Sequence, residues 1–361
     1  MKVAIITDTH YGGKNDNLSF AEFQRRFYDS TFFPICEREG VTEILHLGDV
    51  FDRRKYSNFH TLKLAKEMFF EPASNYKVHM LVGNHDCYFK NSNEVNSISL
   101  TCGEYKNITM YQDIPEVVNV GGTDILFIPW IAPAHYADAL RQIETAKADI
   151  VMGHLEINGS EMMPNLYCEN GLDREIFKRY ERVYSGHYHL QQDDGHIRYL
   201  GAPYEINWSD YMTKKGFHIF DTTTRELEFY QNPHRLFKKI FYDDGHSCDE
   251  MINYDLSEYE NTYVKIFVIQ KNDFYTFDRF VERCYAEGNF LDLKIVEDFS
   301  DLSPDAIADE ELEEIEDIEY LRFLELGLEV RTLRMSKKSL AVDTPEDVIL
   351  AKKMISKLNL D

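Results

Sequence analysis

Between Lys2 and Leu200, short apolar runs alternate with helical patterns, and five of the runs stop at a cluster of Asp, His or Asn. "KVAIIT", "EILHLG", "KVHMLVG", "DILFIPW", "DIVMGH", "RVYSGH" and "IRYLG" read as strands, being short, apolar and bounded by Gly, Asp or Asn. Helical spacing fills several intervals: Phe20, Phe23 and Phe27 recur on one face of 18–38, and 59–71 and 134–147 follow suit. This alternation predicts an α/β architecture, a mixed sheet covered on both faces. In such sheets, sites assemble where the strands end.

The five clusters are "TDTHYGG" (Asp8, His10), "LGDVFDRR" (Asp49, Asp52, Arg53), "VGNHD" (Asn84, His85, Asp86), "MGHLE" (His154) and "SGHYH" (His187, His189). Each alone has an ordinary reading as an Asx turn, a core histidine or a polar surface. Five in succession, each closing a predicted strand, do not. In the last of them, strand periodicity places His187 and His189 on one face and Tyr188 on the other. Seven residues (Asp8, His10, Asp49, Asn84, His154, His187 and His189) offer the mixture of hard oxygens and imidazoles that two adjacent divalent cations need to clamp a phosphate. That set suits manganese, iron or zinc better than magnesium alone. His85, beside Asn84, is the candidate acid for a leaving group, and Asp52 its candidate orienting partner.

Composition sets the remaining bounds. The chain has 361 residues, 43% of them apolar, enough for one large domain with appendages. Its six cysteines form no C-x-x-C pair, which predicts reduced thiols. "MKVAII" is too short for a signal h-region and no stretch approaches a membrane span, so a cytoplasmic protein without membrane contact is expected. A net charge of −24 lowers the expectation of a nucleic-acid partner, but half of it sits between Glu297 and Glu319, which hold twelve Asp or Glu and no Lys or Arg. Beyond Gly216, "GFHIFDTTTRELEFY" reads as a hairpin closing the first domain. A small α+β unit follows, with strands near 263–269 and 291–296 around a helix at 274–285. After the acidic run come two amphipathic patterns, 312–328 and 345–358; the second starts at a polar cap with Pro345.

The set D-x-H, G-D-x-x-D, G-N-H-D, G-H and G-H-x-H resembles the calcineurin-type metallophosphoesterase superfamily. Within it, "DTHYGG", "GDVFDRR", "GNHD" and "IPW" resemble the double-strand-break-repair nucleases of the SbcD and Mre type, and "GHLEING" with the modest length leans towards the phage form. The resemblance is specific over 1–220, architectural over 221–299 and weak beyond. It implies a four-layer α/β/β/α sandwich over 1–232, an α+β capping domain over 233–298, an acidic linker over 299–319 and a C-terminal helical partner-docking element over 320–361. Asp8, His10, Asp49 and His189 would surround one metal, and Asp49, Asn84, His154 and His187 the other, with Asp49 as the bridge. His85 would be catalytic with Asp52 beside it, and Arg53 stands where the phosphatase branch contacts phosphate. The implied cofactors are two divalent ions, manganese first and magnesium as the alternative.

The same resemblance implies a DNA exonuclease or endonuclease of recombination and repair, partnered with an SbcC-type coiled-coil ATPase and acting in the host cytoplasm. It also implies a homodimer through helices near 59–70 and 93–105, with Met68, Phe69 and Phe70 compatible with that contact. The tail "AVDTPEDVILAKKMI" is similar to the last helix of sugar nucleotidyltransferases, whose Gly-rich catalytic loop is absent here. Two other functions compete: a nucleotide phosphodiesterase or protein phosphatase of the same superfamily, and a mainly scaffolding subunit. G-N-H-D rather than G-N-H-E weighs against the phosphatase, and an intact His85 against the scaffold.

Overall fold

The computed structural model describes residues 1–163 and 166–297. In chain order, the first strands are β1 (Lys2–Ile6), β2 (Glu43–His46), β3 (Lys77–Leu81), β4 (Ile108–Tyr111), β5 (Glu116–Val120), β6 (Thr123–Ile128) and β7 (Ile150–His154). They are followed by β8 (Glu161–Met163), β9 (Leu166–Tyr167), β10 (Arg182–Gly186), β11 (Gln192–Asp193), β12 (Ile197–Tyr199), β13 (Gly216–Asp221) and β14 (Leu227–Gln231). Last come β15 (Phe237–Asp243), β16 (Tyr263–Gln270) and β17 (Asp292–Val296).

Two six-stranded sheets form the body, ordered β14-β13-β1-β2-β3-β4 and β11-β12-β10-β7-β6-β5. Each has four parallel strands at its heart and antiparallel partners at the edge. The alternation alone predicted one mixed sheet; there are two, stacked face to face. The inner faces meet through Val3, Ile5, Leu45 and Leu81 from one sheet and Ile125, Phe127, Ile150, Met152 and Tyr184 from the other. Strands buried on both faces read as unbroken apolar runs, so sheet-on-sheet and helix-on-sheet burial look alike in sequence. Helices cover the outer faces, giving the α/β/β/α layering.

Asn17 starts the long first helix, its side chain accepting from the Phe20 backbone N–H at 3.0 Å. Phe20, Phe23 and Phe27 then point inward over Leu18–Phe27. The helix widens into a π-helical turn at Tyr28–Phe32 and resumes at Phe33–Arg38. Pro34 lacks the N–H that would bond back to residue 30, which accounts for the wider turn. Phe59–Ala65, capped by Asn58, likewise runs into a π turn at Lys66–Phe70. Met68, Phe69 and Phe70 are buried in the chain's own core and leave no side chain for a second copy. The second expected helix of that region is short, Ser97–Cys102, and the one over 134–147 is Tyr136–Thr145.

The hairpin β13–β14 is present. Beyond it, β15, β16 and β17 make a three-stranded parallel sheet, one strand more than the sequence pattern suggested. Glu205 ties this unit to the body: its buried carboxylate accepts from the Leu236 and Phe237 N–H groups and pairs with Arg235. All six cysteines are free. Among the described residues, no helix is long and apolar enough to cross a membrane. The acidic linker and both amphipathic tail patterns lie outside the described residues.

Candidate metal centre

All five clusters arrive at one edge, where β1, β2, β3, β7 and β10 end side by side across the two stacked sheets. The chain turns sharply there. Asp8, His10, Asp49 and His187 have φ of 54°, 44°, 53° and 86°, a left-handed backbone that non-glycine residues adopt at a cost of about 1–3 kcal/mol each. His187 and His189 therefore do not lie on the strand, as periodicity suggested; β10 stops at Gly186 and the pair follows in a turn. Tyr188 between them packs on Tyr199 in the core. The glycines of the clusters permit close approach. A Cβ on Gly83 would stand 2.2 Å from Asp49 Oδ1, and one on Gly48 2.6 Å from His154 Nδ1.

Three groups of ligand-type atoms result among the described residues, each within 4.8 Å: first Asp8, His10 and His189, second Asp49, His154 and His187, and at the rim His10, Asp52 and His85. His10 Nε2 and His189 Nε2 face each other at 3.1 Å. In the second group, Asn84 Oδ1 lies 2.9 Å from both His154 Nε2 and His187 Nδ1, which are 3.3 Å apart. Asp49 stands between the first two groups, its Oδ2 3.2 Å from His154 Nε2 and 3.8 Å from His10 Nε2. Its Oδ1 accepts the His85 backbone N–H at 2.8 Å. All seven residues expected at the site are thus brought together.

The donor set fits cations. His154 Nδ1 donates to the Leu47 carbonyl at 2.8 Å, so its Nε2 lone pair, when the ring is neutral, faces the oxygens of Asp49 and Asn84. Such an arrangement needs positive charge at its centre. Without a cation the imidazoles carry it: burial opposes protonation of His154, but Asp49, Asp8 and the Leu47 carbonyl outweigh it and hold the pKa up at about 9. His10 follows the same pattern: burial is outweighed by Asp52, Asp49 and Asp8, again to about 9. Burial and a charged neighbour push the other imidazole of each pair down, His189 beside His10 to about 3 and His187 beside His154 well below its usual value. His10 Nδ1 is buried without a well-formed hydrogen bond, 3.3 Å from Asp52 Oδ1.

His85 sits at the half-open rim, its ring edge-on to His10 with centroids 4.8 Å apart. Its Nδ1 lies 2.7 Å from the Asp52 backbone carbonyl. Asp52 thus contacts His85 through its main-chain carbonyl, while its carboxylate lies 3.3 Å from His10 Nδ1 in the same group of atoms as the His85 ring. Arg53 is committed elsewhere: it pairs with Asp16 at 2.7 Å, donates to Asn15 and lies over the Tyr56 ring.

Of the supporting residues, Asp86 stood in a recognised cluster, and Tyr204, Gln24, Lys215 and Asp210 carried no sequence signal. Tyr204 and Gln24 donate to the Thr9 carbonyl at 2.5 and 2.9 Å, fixing the turn that presents His10. Lys215, 1% exposed, donates to the His189 carbonyl at 2.7 Å and pairs with buried Asp210 at 2.5 Å. Asp86 of "GNHD" accepts from the N–H groups of Gly83, Val50 and Phe51, stapling the turn after β2 to that after β3. Glu156 lies 3.6 Å from His187 Nε2, the nitrogen facing away from the pocket, and accepts from Trp130.

Comparison with known proteins agrees with this geometry. Residues 1–191 match the calcineurin-like phosphoesterase family. The chain is 30% identical to exonuclease subunit 1 of Enterobacteria phage T4 over 243 residues, 67% of this chain and 71% of that protein. Among solved structures, an archaeal phosphodiesterase overlaps 64% of this chain and 100% of its own at 15% identity with a TM-score of 0.31. A glutamine-dependent NAD+ synthetase of Acinetobacter baumannii overlaps 99% of this chain and 73% of its own at 9% identity with a TM-score of 0.25. At these scores neither overlap bears on fold or function.

Proposed function

The chain belongs to the calcineurin-like phosphoesterase family, and from that premise we propose that it is a two-metal DNA nuclease that works as a subunit of a larger complex. The observation carrying this reading is the single carboxylate, Asp49, between two imidazole pairs, with His85 at the rim. Asp8, His10, Asp49 and His189 would hold one ion, and Asp49, Asn84, His154 and His187 the other. Their oxygen and imidazole donors suit manganese best, with magnesium as the harder alternative. Bound there, the ions supply Lewis-acid stabilisation of phosphate charge and activation of water.

The chain's own groups complete the chemistry. A carbonyl can only accept, so the Asp52 carbonyl fixes the hydrogen of His85 on Nδ1. Nε2 is then the nitrogen at which the ring exchanges its second proton: the imidazolium carries a hydrogen there, and giving it up leaves the neutral ring with its Nδ1 hydrogen still on the carbonyl. That proton passes to the departing oxygen as the P–O bond breaks. The Asp52 carboxylate orients the His10 ring, as carboxylates do for metal-binding histidines.

Likeness to a phage exonuclease subunit supports a nucleic-acid phosphodiester as substrate and an assembly as setting. The family resemblance makes that partner an SbcC-type ATPase, docked by residues 320–361, with the division 1–232, 233–298 and 299–319 before it. A chain of net charge −24 has few cations with which to release counterions from DNA, so a homodimer and the ATPase supply most of the grip. The test compares duplex ends, single-stranded DNA and bis-para-nitrophenyl phosphate with manganese, for wild type and His85→Ala. DNA cleavage lost in the variant is expected. Full DNA cleavage by His85→Ala would refute the role of His85, and cleavage of the small diester alone would refute the nuclease.

A further inference from the structure

The two arginines that follow Asp52 are used differently. Arg53 is tied to Asp16 and Asn15, whereas Arg54 makes no ion pair or hydrogen bond among the described residues. Its guanidinium carbon lies 5.6 Å from the centre of the Trp130 ring, and its Nη1 is buried and unbonded. No other described arginine has a buried guanidinium nitrogen left without a partner. Carboxylates are not scarce in a chain with 63 Asp or Glu, and an unpaired buried donor is costly, the more so when charged. Support of Trp130 does not account for the arrangement. The Trp130 N–H already donates to the Val82 carbonyl at 2.8 Å, its carbonyl accepts from Asn93 Nδ2 at 2.8 Å, and its indole N–H donates to Glu156 at 3.3 Å. The ring is fixed without Arg54, and it is the arginine that the ring holds in place.

Its position gives it a use. Arg54 comes two residues after the carbonyl that fixes His85. Burial pushes the Cys87 thiol up and Arg54 pulls against it, which sets the guanidinium beside the turn that carries Asn84 and His85. Through Trp130 it is linked to Glu156, which lies 3.6 Å from His187 Nε2. Arg54 thus stands at the rim of the centre, on the side of the second imidazole pair, and is half-buried, so a strand can reach it. We propose that Arg54 is a substrate-binding residue that grips a phosphate of the bound strand, the neighbour of the one the two ions clamp; this rests on the nuclease reading. The planar guanidinium fork matches phosphate oxygens, and an aromatic face steadies the fork without neutralising it. The neighbouring linkage is indicated because Trp130 and Glu156 intervene between the guanidinium and His187. The phosphate arginine of this chain is then Arg54, the residue after the one the family resemblance implied.

A methylphosphonate scan of a single-stranded oligonucleotide tests this with the full chain. Each linkage beside the cleaved bond is made neutral in turn, and binding without added metal and cleavage with manganese are measured for wild type, Arg54→Gln and Arg54→Lys. On the unmodified strand, Arg54→Gln should weaken binding and kcat/KM by about ten- to a hundredfold, and Arg54→Lys by less, with thermal unfolding and metal content as in wild type. At one linkage beside the cleaved bond, neutralisation should cost wild type a similar factor and Arg54→Gln nothing further. Equal penalties in wild type and Arg54→Gln at every linkage would overturn the proposal and leave Arg54 a support of Trp130. Should Arg54→Gln fail to fold, Arg54→Lys serves the same comparison, and a penalty there equal to that of wild type at every linkage overturns the proposal as well. A wild type that neither binds nor cuts any strand would refute the nuclease reading itself, and this proposal with it.

Discussion

The two halves of the metal centre are built alike and charged differently. Each pairs one imidazole whose pKa is raised to about 9 with a neighbour pushed far down, and each borrows Asp49. Around His10, however, stand Asp8, Asp49 and Asp52, whereas His154 and His187 share a neutral amide, Asn84. Their supports differ too. The first half is pinned from outside by Tyr204, Gln24 and Lys215; the second is held between the sheets by the Leu47 carbonyl and the close approach at Gly48. Affinity for a hard cation rises with the number of ligand charges. The carboxylate-rich half should therefore fill first, and the two halves should fail separately except at Asp49.

The largest effect should come from Asp49→Asn, which breaks both halves together. Loss of several kcal/mol of charge stabilisation corresponds to a fall in turnover of about a thousandfold or more, and metal analysis should find fewer than one ion per chain. His85→Ala should lower cleavage by about 10²–10⁴ while leaving both ions in place, since the ring stands at the rim of both halves. Asn84→Ala should empty only the second half, giving one ion by calorimetric titration with the tighter step unchanged.

Lys215→Met sharpens the comparison from the other side. It strands Asp210 as an unpaired buried charge, which should cost about 3–5 kcal/mol in denaturant unfolding, and it should weaken only the first ion by about 10–100-fold. The pair also has a pH signature. Burial opposes the Asp210 charge, but Lys215 and His189 outweigh it and hold its pKa below the ordinary carboxylate range. Its stabilisation is thus complete above the unfolded value of about 4 and is lost as pH falls through the lower folded value, an acid limb the variant should lack. The smallest effect is expected for Glu156→Gln, about tenfold or less on the second ion alone.

Both halves were legible in the sequence to unequal depth. Four of the seven candidate ligands, Asp49, Asn84, His154 and His187, directly follow a glycine at a strand end, where the backbone must turn and approach a neighbour closely, and Asp8, His10 and His189 stand in the same kind of turn. Histidines as such were no guide: His46, three residues before Asp49, is a core residue bonded to Thr9. What sequence reasoning missed acts through main-chain carbonyls. Lys215 acts on the carbonyl of His189, and Tyr204 and Gln24 act on that of Thr9. Any residue type can present a carbonyl, so such contacts leave no pattern. The second sheet was hidden for a similar reason, because strands buried on both faces lose the alternation that would tell one covering layer from another.

The bridge at Asp49 is the centre of the account, and anomalous diffraction from manganese-loaded crystals tests it most directly. Two peaks roughly 3.5–4 Å apart should appear with Asp49 touching both. Asp8, His10 and His189 should complete one shell, and Asn84, His154 and His187 the other. A single peak, or two peaks that share no carboxylate, would contradict it.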